Sequence, residues 1–353
     1  MISNRRLRTA VSGLGRIAWD YHIPTLLHHP QFELVAVADP LAERRKEATE
    51  HFGIKAVYSD AGTMVGTEKP DLLVIASPTC FHSEQALAAF QSGCNVICEK
   101  PLGVNFTDAE EIAAAMRRFD RKLMVYQPHR LTGEAIALKR ILSDGLLGTI
   151  HLVRRSSSGF SRRNDWQAFS AYGGGMLNNY GSHFLDQFIY LFGGNMRSIE
   201  AVTKCLVSCG DAEDFVKILA VNEKEIAFDL EINMASAFDN QDWLVFGACG
   251  SARLENDRWQ VRYFDPEALK PLAAQSGFAA TDRIYPFETD IPWQEKVFPC
   301  NTSGSPGYYD YCYRYFIQGE KPLIPVENSL EVMQLLECCR PQNTLNCAVA
   351  AVN

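Results

Sequence analysis

The first 128 residues alternate short, nearly continuous apolar runs with amphipathic stretches of helical period. The runs are RTAVSGLG, FELVAVAD, DLLVIASP, NVICEKP and KLMVYQP, rich in Val, Ile and Leu. Between them lie RIAWDYHIPTLLHH, AERRKEATEHFG, SEQALAAFQSG and TDAEEIAAAMRRFD. Strands that are apolar on both faces, separated by helices, predict a parallel sheet covered on both sides. Right-handed crossovers then give a doubly wound fold, assigned to residues 1–126.

From residue 127 onward the pattern changes. A helix is predicted at EAIALKRILSDGLLG and a strand at TIHLVRRSSSG. SIEAVTKCLVS, FVKILAV, EIAFDLEINMA, WLVFGAC, SARLEN and WQVRYF then follow through short turns without intervening helices. That succession predicts an antiparallel sheet. Helices at YYDYCYRYFIQG and ENSLEVMQLLECC close the chain, and residues 265–306, rich in Pro, Gly and aromatics, read as loops or an insertion. The expected class is therefore α/β, with a second domain at 127–353 that contains an antiparallel sheet.

Composition narrows the partners. The 353 residues are 47% hydrophobic and 22% charged, the balance of an ordinary globular protein, and the length favours two domains. A net charge of −8 argues against a general nucleic-acid surface. No apolar run approaches the ~18 residues of a membrane span. The basic-then-apolar start MISNRRLRTAVSGLG is too short for an export signal and is broken by Gly13, Gly15 and Arg16, so a cytoplasmic location is expected. The 11 cysteines are odd in number and contain no CxxC pair, which fits neither a disulfide framework nor a zinc site. No metal is expected.

Three stretches carry chemistry. GLGRIA places Gly13, Gly15 and Ala18 at a strand-to-helix turn, where a tight bend, a close phosphate approach and close helix packing each need a small residue. Gly13, Gly15, Arg16 and Ile17 are expected to contact a dinucleotide. Asp39, closing the second strand, suits the ribose hydroxyls of NAD, while Arg44 and Arg45 keep NADP open. In ICEKPLG, Glu99-Lys100-Pro101 stands at the carboxyl end of a strand, where ligands of such folds bind. In GGGMLNNYGSHFLDQ, residues 173–187, the glycines let the backbone approach a ligand or neighbouring strand before a helix begins. Asn179 and His183 lie four apart on that helix and share a face, with Asp186 and Gln187 a turn further on to orient the imidazole.

Together with ADP and SPTCFHSEQALAAFQSGCNVICEKP, these motifs resemble the glucose-fructose oxidoreductase/inositol dehydrogenase (Gfo/Idh/MocA) family, in family order. The resemblance implies a Rossmann domain followed by an α/β domain with a large, mostly antiparallel open sheet that commonly forms the oligomer interface, hence a homodimer or homotetramer. It implies that Lys100 contacts the reacting hydroxyl and the nicotinamide region. It also places Ser77, Pro78, Thr79 and His82 on the loop that passes the cofactor, with Glu99 beside them. Thr79 stands where many members carry Asn, and Asn179 where the histidine's partner is often Asp.

The expected reaction moves a hydride between a secondary carbinol carbon and nicotinamide, with His183 exchanging the hydroxyl proton. Lys100 holds the same oxygen, and Asn179 holds a neighbouring hydroxyl of a polyol or sugar. His129, Arg130, Arg163, Asp165 and Trp166 are further substrate candidates. Two alternatives use the same residues: a redox-neutral enzyme that retains NAD, and a dinucleotide sensor without catalysis.

Overall fold

The computed structural model describes residues 5–274, 276–277, 283 and 290–340. Part of the predicted loop region 265–306, and the tail of the second domain after residue 340, lie outside the described residues.

The first sheet contains β1 (Leu7–Ser12), β2 (Phe32–Ala38), β3 (Val57–Tyr58), β4 (Leu72–Ile75), β5 (Asn95–Glu99) and β6 (Leu123–Tyr126). All neighbours are parallel, in the order β3-β2-β1-β4-β5-β6. The order reverses between β1 and β4, which opens a crevice at their carboxyl ends. Its layers hold α1 (Ile23–His28), α2 (Ala42–Phe52), α3 (Ala61–Glu68), α4 (His82–Gln91) and α5 (Phe106–Arg118). All four residues of β4 and of β6 are buried, as a strand covered on both faces requires. The short β3–α3 unit was not singled out in the sequence. Two strand residues give a period-two pattern too little length to register.

After α6 (Gly133–Ser143) the second sheet starts with β7 (Ile150–Phe160), followed by α7 (Ser182–Phe192) and β8 (Met196–Lys204). It continues with β9 (Phe215–Asn222), β10 (Ala227–Asn233), β11 (Ala235–Asn240), β12 (Trp243–Gly247), β13 (Gly250–Glu255), β14 (Arg258–Tyr263) and β15 (Gln294–Pro299). The order is β15-β14-β13-β12-β7-β10-β9-β8, with β11 on β7. Pairing is antiparallel except between β7 and β10. Two local readings change. EIAFDLEINMA splits into β10 and the start of β11. Residues 294–299, expected as loop, form β15, because β14 offers an edge and the strand returns to fill it.

One face of this sheet buries alternate residues, as in β10, where Phe228, Leu230 and Ile232 point into the core and Phe228 stacks on Phe188 of α7. The opposite face is open. It carries Val202 and Leu219, each about half exposed, beside the Lys217–Asp229–Glu231 charge cluster. The last helices, α8 (Tyr308–Tyr313) and α9 (Val326–Cys338), return to the first domain. Tyr308 donates to the Val125 carbonyl at 3.0 Å, and Lys122 donates to the Tyr315 carbonyl at 2.8 Å. The last helices therefore pack across the boundary expected near residue 127. Among the described residues no helix is long and apolar enough to cross a membrane, and no cluster of three His, Cys, Asp or Glu side chains is placed to hold a metal.

Candidate active site

A cleft of about 1280 Å³ runs between the two sheets. Its floor on the first-domain side is the β1–α1 turn. Gly13 has φ +87°, and a Cβ there would sit 2.5 Å from the Ser77 backbone nitrogen. Only glycine lets the chain ends after β1 and β4 pack this closely. Gly15 has no atom within 4 Å of where its Cβ would be, so open space lies over its backbone on the cleft side. Arg16 and Ile17 line the same wall. Asp39 is 3% exposed, and its carboxylate accepts from the Leu14 N–H at 2.8 Å and the Leu41 N–H at 2.9 Å. Arg44 approaches the same carboxylate at 3.4 Å. An open glycine turn beside an anchored carboxylate at the sheet's switch point fits a dinucleotide, whose pyrophosphate the turn would hold and whose ribose Asp39 would hold.

Ser77, Pro78 and Thr79 follow β4 and also face the cleft. His82 does not. Its ring lies buried behind the loop, with Nδ1 3.0 Å from the Pro101 carbonyl and Nε2 3.0 Å from the Ser77 carbonyl. It ties the segments after β4 and β5 together, and burial lowers its pKa.

The glycine run answers to three separate neighbours. Gly173, at φ +77°, would place a Cβ 2.8 Å from Thr79, a contact across the domain junction. At Gly174 a Cβ would strike the Gln167 carbonyl, and at Gly175 the Glu213 carboxylate. Glu213 in turn receives the Leu177 N–H at 2.9 Å. The run presses the following helix against the cofactor loop, the 166–169 turn and Glu213 at once.

Asn179 then sits in a wide five-residue π-turn, Leu177–Gly181, ahead of α7. Such turns rotate side chains off the regular helical face. The Lys100 ammonium donates to the Asn179 carbonyl at 2.8 Å and to its Oδ1 at 2.9 Å. Asn179 is therefore joined to the lysine, and the expected pairing with His183 is replaced. An ammonium has three N–H donors, so one remains for a ligand. Burial lowers the Lys100 pKa to about 8; Arg16 and Arg163 push it the same way, and Glu99 opposes them. Glu99 is itself held in a buried network: its Oε1 lies 3.0 Å from His22 Nε2, and His22 Nδ1 lies 2.7 Å from the Tyr309 hydroxyl.

The His183 ring, 7% exposed, lines the cleft with Lys100. Its Nδ1 meets the Gln127 Oε1 at 2.7 Å, and its ring stacks on His129 at 3.7 Å between centroids. Its Nε2 has no hydrogen-bond partner among the described residues. Burial, with the charges of Lys100 and His129, holds its pKa well below the ordinary value. His129 is lowered to about 4, by burial first and then by Lys100 and Arg155.

Asp186 and Gln187 do not orient this imidazole. Asp186 is fully buried and paired with Arg130 through contacts of 2.7 and 2.6 Å, while Gln187 donates to the His129 carbonyl at 2.7 Å. Arg130, expected as a substrate contact, also donates to the Leu323 carbonyl and lies in the core, away from the cleft. Arg163, Asp165 and Trp166 do line the cleft, with Arg163 and Asp165 paired at 3.2 Å and Trp166 36% exposed. Sequence reading missed Gln127, His22 and Gln167. Gln127 did carry a signal, since it follows β6 at the ligand edge of the sheet. His22 and Gln167 lie on segments with no local mark.

A Rossmann sheet with an open glycine turn and a buried lysine after β5, facing an imidazole on α7 of the second domain, defines a dinucleotide-dependent oxidoreductase. The chain belongs to the GFO/IDH/MocA oxidoreductase family. The family's NAD-binding Rossmann fold matches residues 7–127, and its C-terminal domain matches residues 135–253. D-apiose dehydrogenase of Paraburkholderia graminis is 31% identical over 72% of this chain and 68% of its own length. D-glucoside 3-dehydrogenase of Escherichia coli (strain K12) is 30% identical over 53% of this chain, and the match spans 54% of that relative, about half its length. An NAD-binding protein from Listeria innocua has the same fold, with a TM-score of 0.80 at 23% identity over 95% of this chain and 96% of its own. The cofactor class is NAD.

Proposed function

We propose that this protein oxidises or reduces a secondary hydroxyl carbon of a sugar, a sugar derivative or an inositol. The observation that carries the reading is the pair of groups that the two domains bring to one cleft: a neutral imidazole whose Nε2 has no partner among the described residues and an ammonium with one unused N–H. The relatives that act on D-glucosides and D-apiose support this substrate class.

Nicotinamide, when bound, supplies the carbon that accepts or returns the hydride. The chain's own residues handle the proton. The substrate hydroxyl donates to His183 Nε2 and passes its proton there as the C–H bond breaks, leaving a carbonyl and an imidazolium. Lys100 donates its remaining N–H to the same oxygen and stabilises the negative charge that develops on it. Asn179 fixes the ammonium in place through two acceptors. Trp166 offers an apolar face to a sugar ring. Asp39 favours NAD over NADP by repelling a 2′-phosphate, and its contact with Arg44 occupies the nearest cation.

The open sheet face, with Val202 and Leu219 exposed, supports self-association through that face, checked by light scattering of wild type against Leu219→Asp. Cys94, Cys98 and Cys312 are buried thiols, which suits a reducing, cytoplasmic compartment.

The test is a panel of sugars, sugar acids and inositols scored by the absorbance of reduced nicotinamide, with NAD and with NADP. Reduction of NAD by at least one of them, lost in Lys100→Ala while NAD still binds, is the expected result. Product formation without net cofactor reduction overturns the dehydrogenase reading in favour of redox-neutral chemistry.

A further inference from the structure

We propose that Gln127 is the positioning residue of this site, fixing His183 in the tautomer that carries its proton on Nδ1 and presents Nε2 to the substrate. The inference rests on the dehydrogenase reading and deepens it.

Gln127 follows β6 and is 3% exposed. Its Oε1 lies 2.7 Å from His183 Nδ1, and its Nε2 points to the Ser182 carbonyl at 3.5 Å. Turning the amide over would set its oxygen against that carbonyl, so the oxygen faces the ring. An amide oxygen only accepts, and Nδ1 must therefore be the donor. The neutral ring then has its lone pair on Nε2, the atom on the cleft side without a partner among the described residues.

The grip is reciprocal. Gln127 holds His183, and four residues along α7 Gln187 holds the carbonyl of His129, two residues after Gln127. His129 covers the imidazole face at an interplanar angle of 29°. Two amides and one stacked ring thus lock the strand end and the helix in a single register.

The charge environment makes an amide the consequential choice. Facing the ring are Lys100 from the end of β5 and His129 from the end of β6. Arg155 of β7 lies against Phe184, the next residue on α7. The acid on the same helix, Asp186, is already paired with Arg130. Among the described residues no free carboxylate meets the imidazole, so Gln127 orients the ring without adding a negative charge to stabilise the imidazolium. A carboxylate in its place would do both.

Histidine-labelled protein is examined by long-range ¹H–¹⁵N correlation, with His183 assigned by its loss in His183→Gln. The expected spectrum shows a protonated Nδ1 and an unprotonated Nε2 at neutral pH. Gln127→Met is expected to mix the tautomers and lower kcat by at least tenfold with KM within about twofold. Gln127→Glu is expected to raise the acid limb of the kcat/KM profile by at least one pH unit. A wild-type ring protonated on Nε2, or an acid limb unmoved in folded Gln127→Glu, overturns the assignment. Should the glutamate variant fail to fold, the wild-type and methionine spectra still decide. If the wild type turns over no substrate, the dehydrogenase reading fails, while the spectra decide the tautomer independently.

Discussion

The two walls of the cleft, which we propose hold the cofactor and the substrate, are built on different principles. The cofactor wall is local. Gly13, Gly15, Arg16 and Ile17 are consecutive or nearly so, and Asp39 anchors to Leu14 across one strand pair. Its working parts are backbone geometry and one carboxylate. The substrate wall is assembled from afar. Lys100 meets Asn179 79 residues away, and Gln127 meets His183 56 residues away. Its working parts are side chains whose ionisation depends on burial. A local, backbone-built wall tolerates exchange of one side chain better than a wall that works through a single proton acceptor.

Substitutions can separate the two walls. The largest effect is expected for His183→Gln, which removes the proton acceptor. Turnover should fall roughly 10²–10⁴-fold, while NAD affinity, read by fluorescence titration, stays near wild type. A parallel loss of NAD affinity would show that the walls are coupled. Next comes Arg130→Met, which leaves Asp186 buried without its partner and should cost about 3–5 kcal/mol of stability. Denaturant melts would register this, and an intact melting curve would return Arg130 to the surface of the cleft. Gly13→Ala forces a Cβ against Ser77 at positive φ, a strain of about 1–3 kcal/mol. It should weaken NAD binding about tenfold or more and leave the His183 resonances in place.

Smaller shifts sharpen the electrostatics of the substrate wall. Lys100 is charged below about pH 8 and loses its proton above it, so activity should be flat through neutrality and decline as pH rises past about 8. His183 is already neutral there and sets no limb until well below its ordinary pKa. Asn179→Asp places a carboxylate against the ammonium, favours the charged form, and should move the basic limb upward by about one unit. A basic limb unmoved by Asn179→Asp would mean that a group other than Lys100 sets it. The smallest change belongs to the cofactor wall: Asp39→Ser should improve the NADP-to-NAD ratio about tenfold by removing repulsion and releasing Arg44.

The same contrast governs what could be read beforehand. The apolar runs of β1, β2, β4, β5 and β6 appear in the sequence as strands because each is buried on both faces. Gly13, Gly15 and Asp39 could be singled out by local spacing, whereas Lys100 and His183 stood out only through the resemblance of their motifs to the family. β15 was hidden because its pairing partner, not its own composition, makes it a strand. Arg130 looked like a ligand-binding cation because its partner Asp186 lies on another element. Gln127 was passed over because an amide shows no charge until a ring is placed against it.

The sequence by itself determined the two sheets, the dinucleotide turn and the family, since periodicity and short-range motifs are properties of neighbouring residues. Only the tertiary structure decided that Asn179 serves Lys100, that Gln127 serves His183, and that Asp186 belongs to Arg130. Those assignments depend on which side chains are brought within about 3 Å of one another across 50 or more residues of chain, the range at which hydrogen bonds act. The pKa directions follow from the same packing, because desolvation exists only once the cleft has closed around the groups.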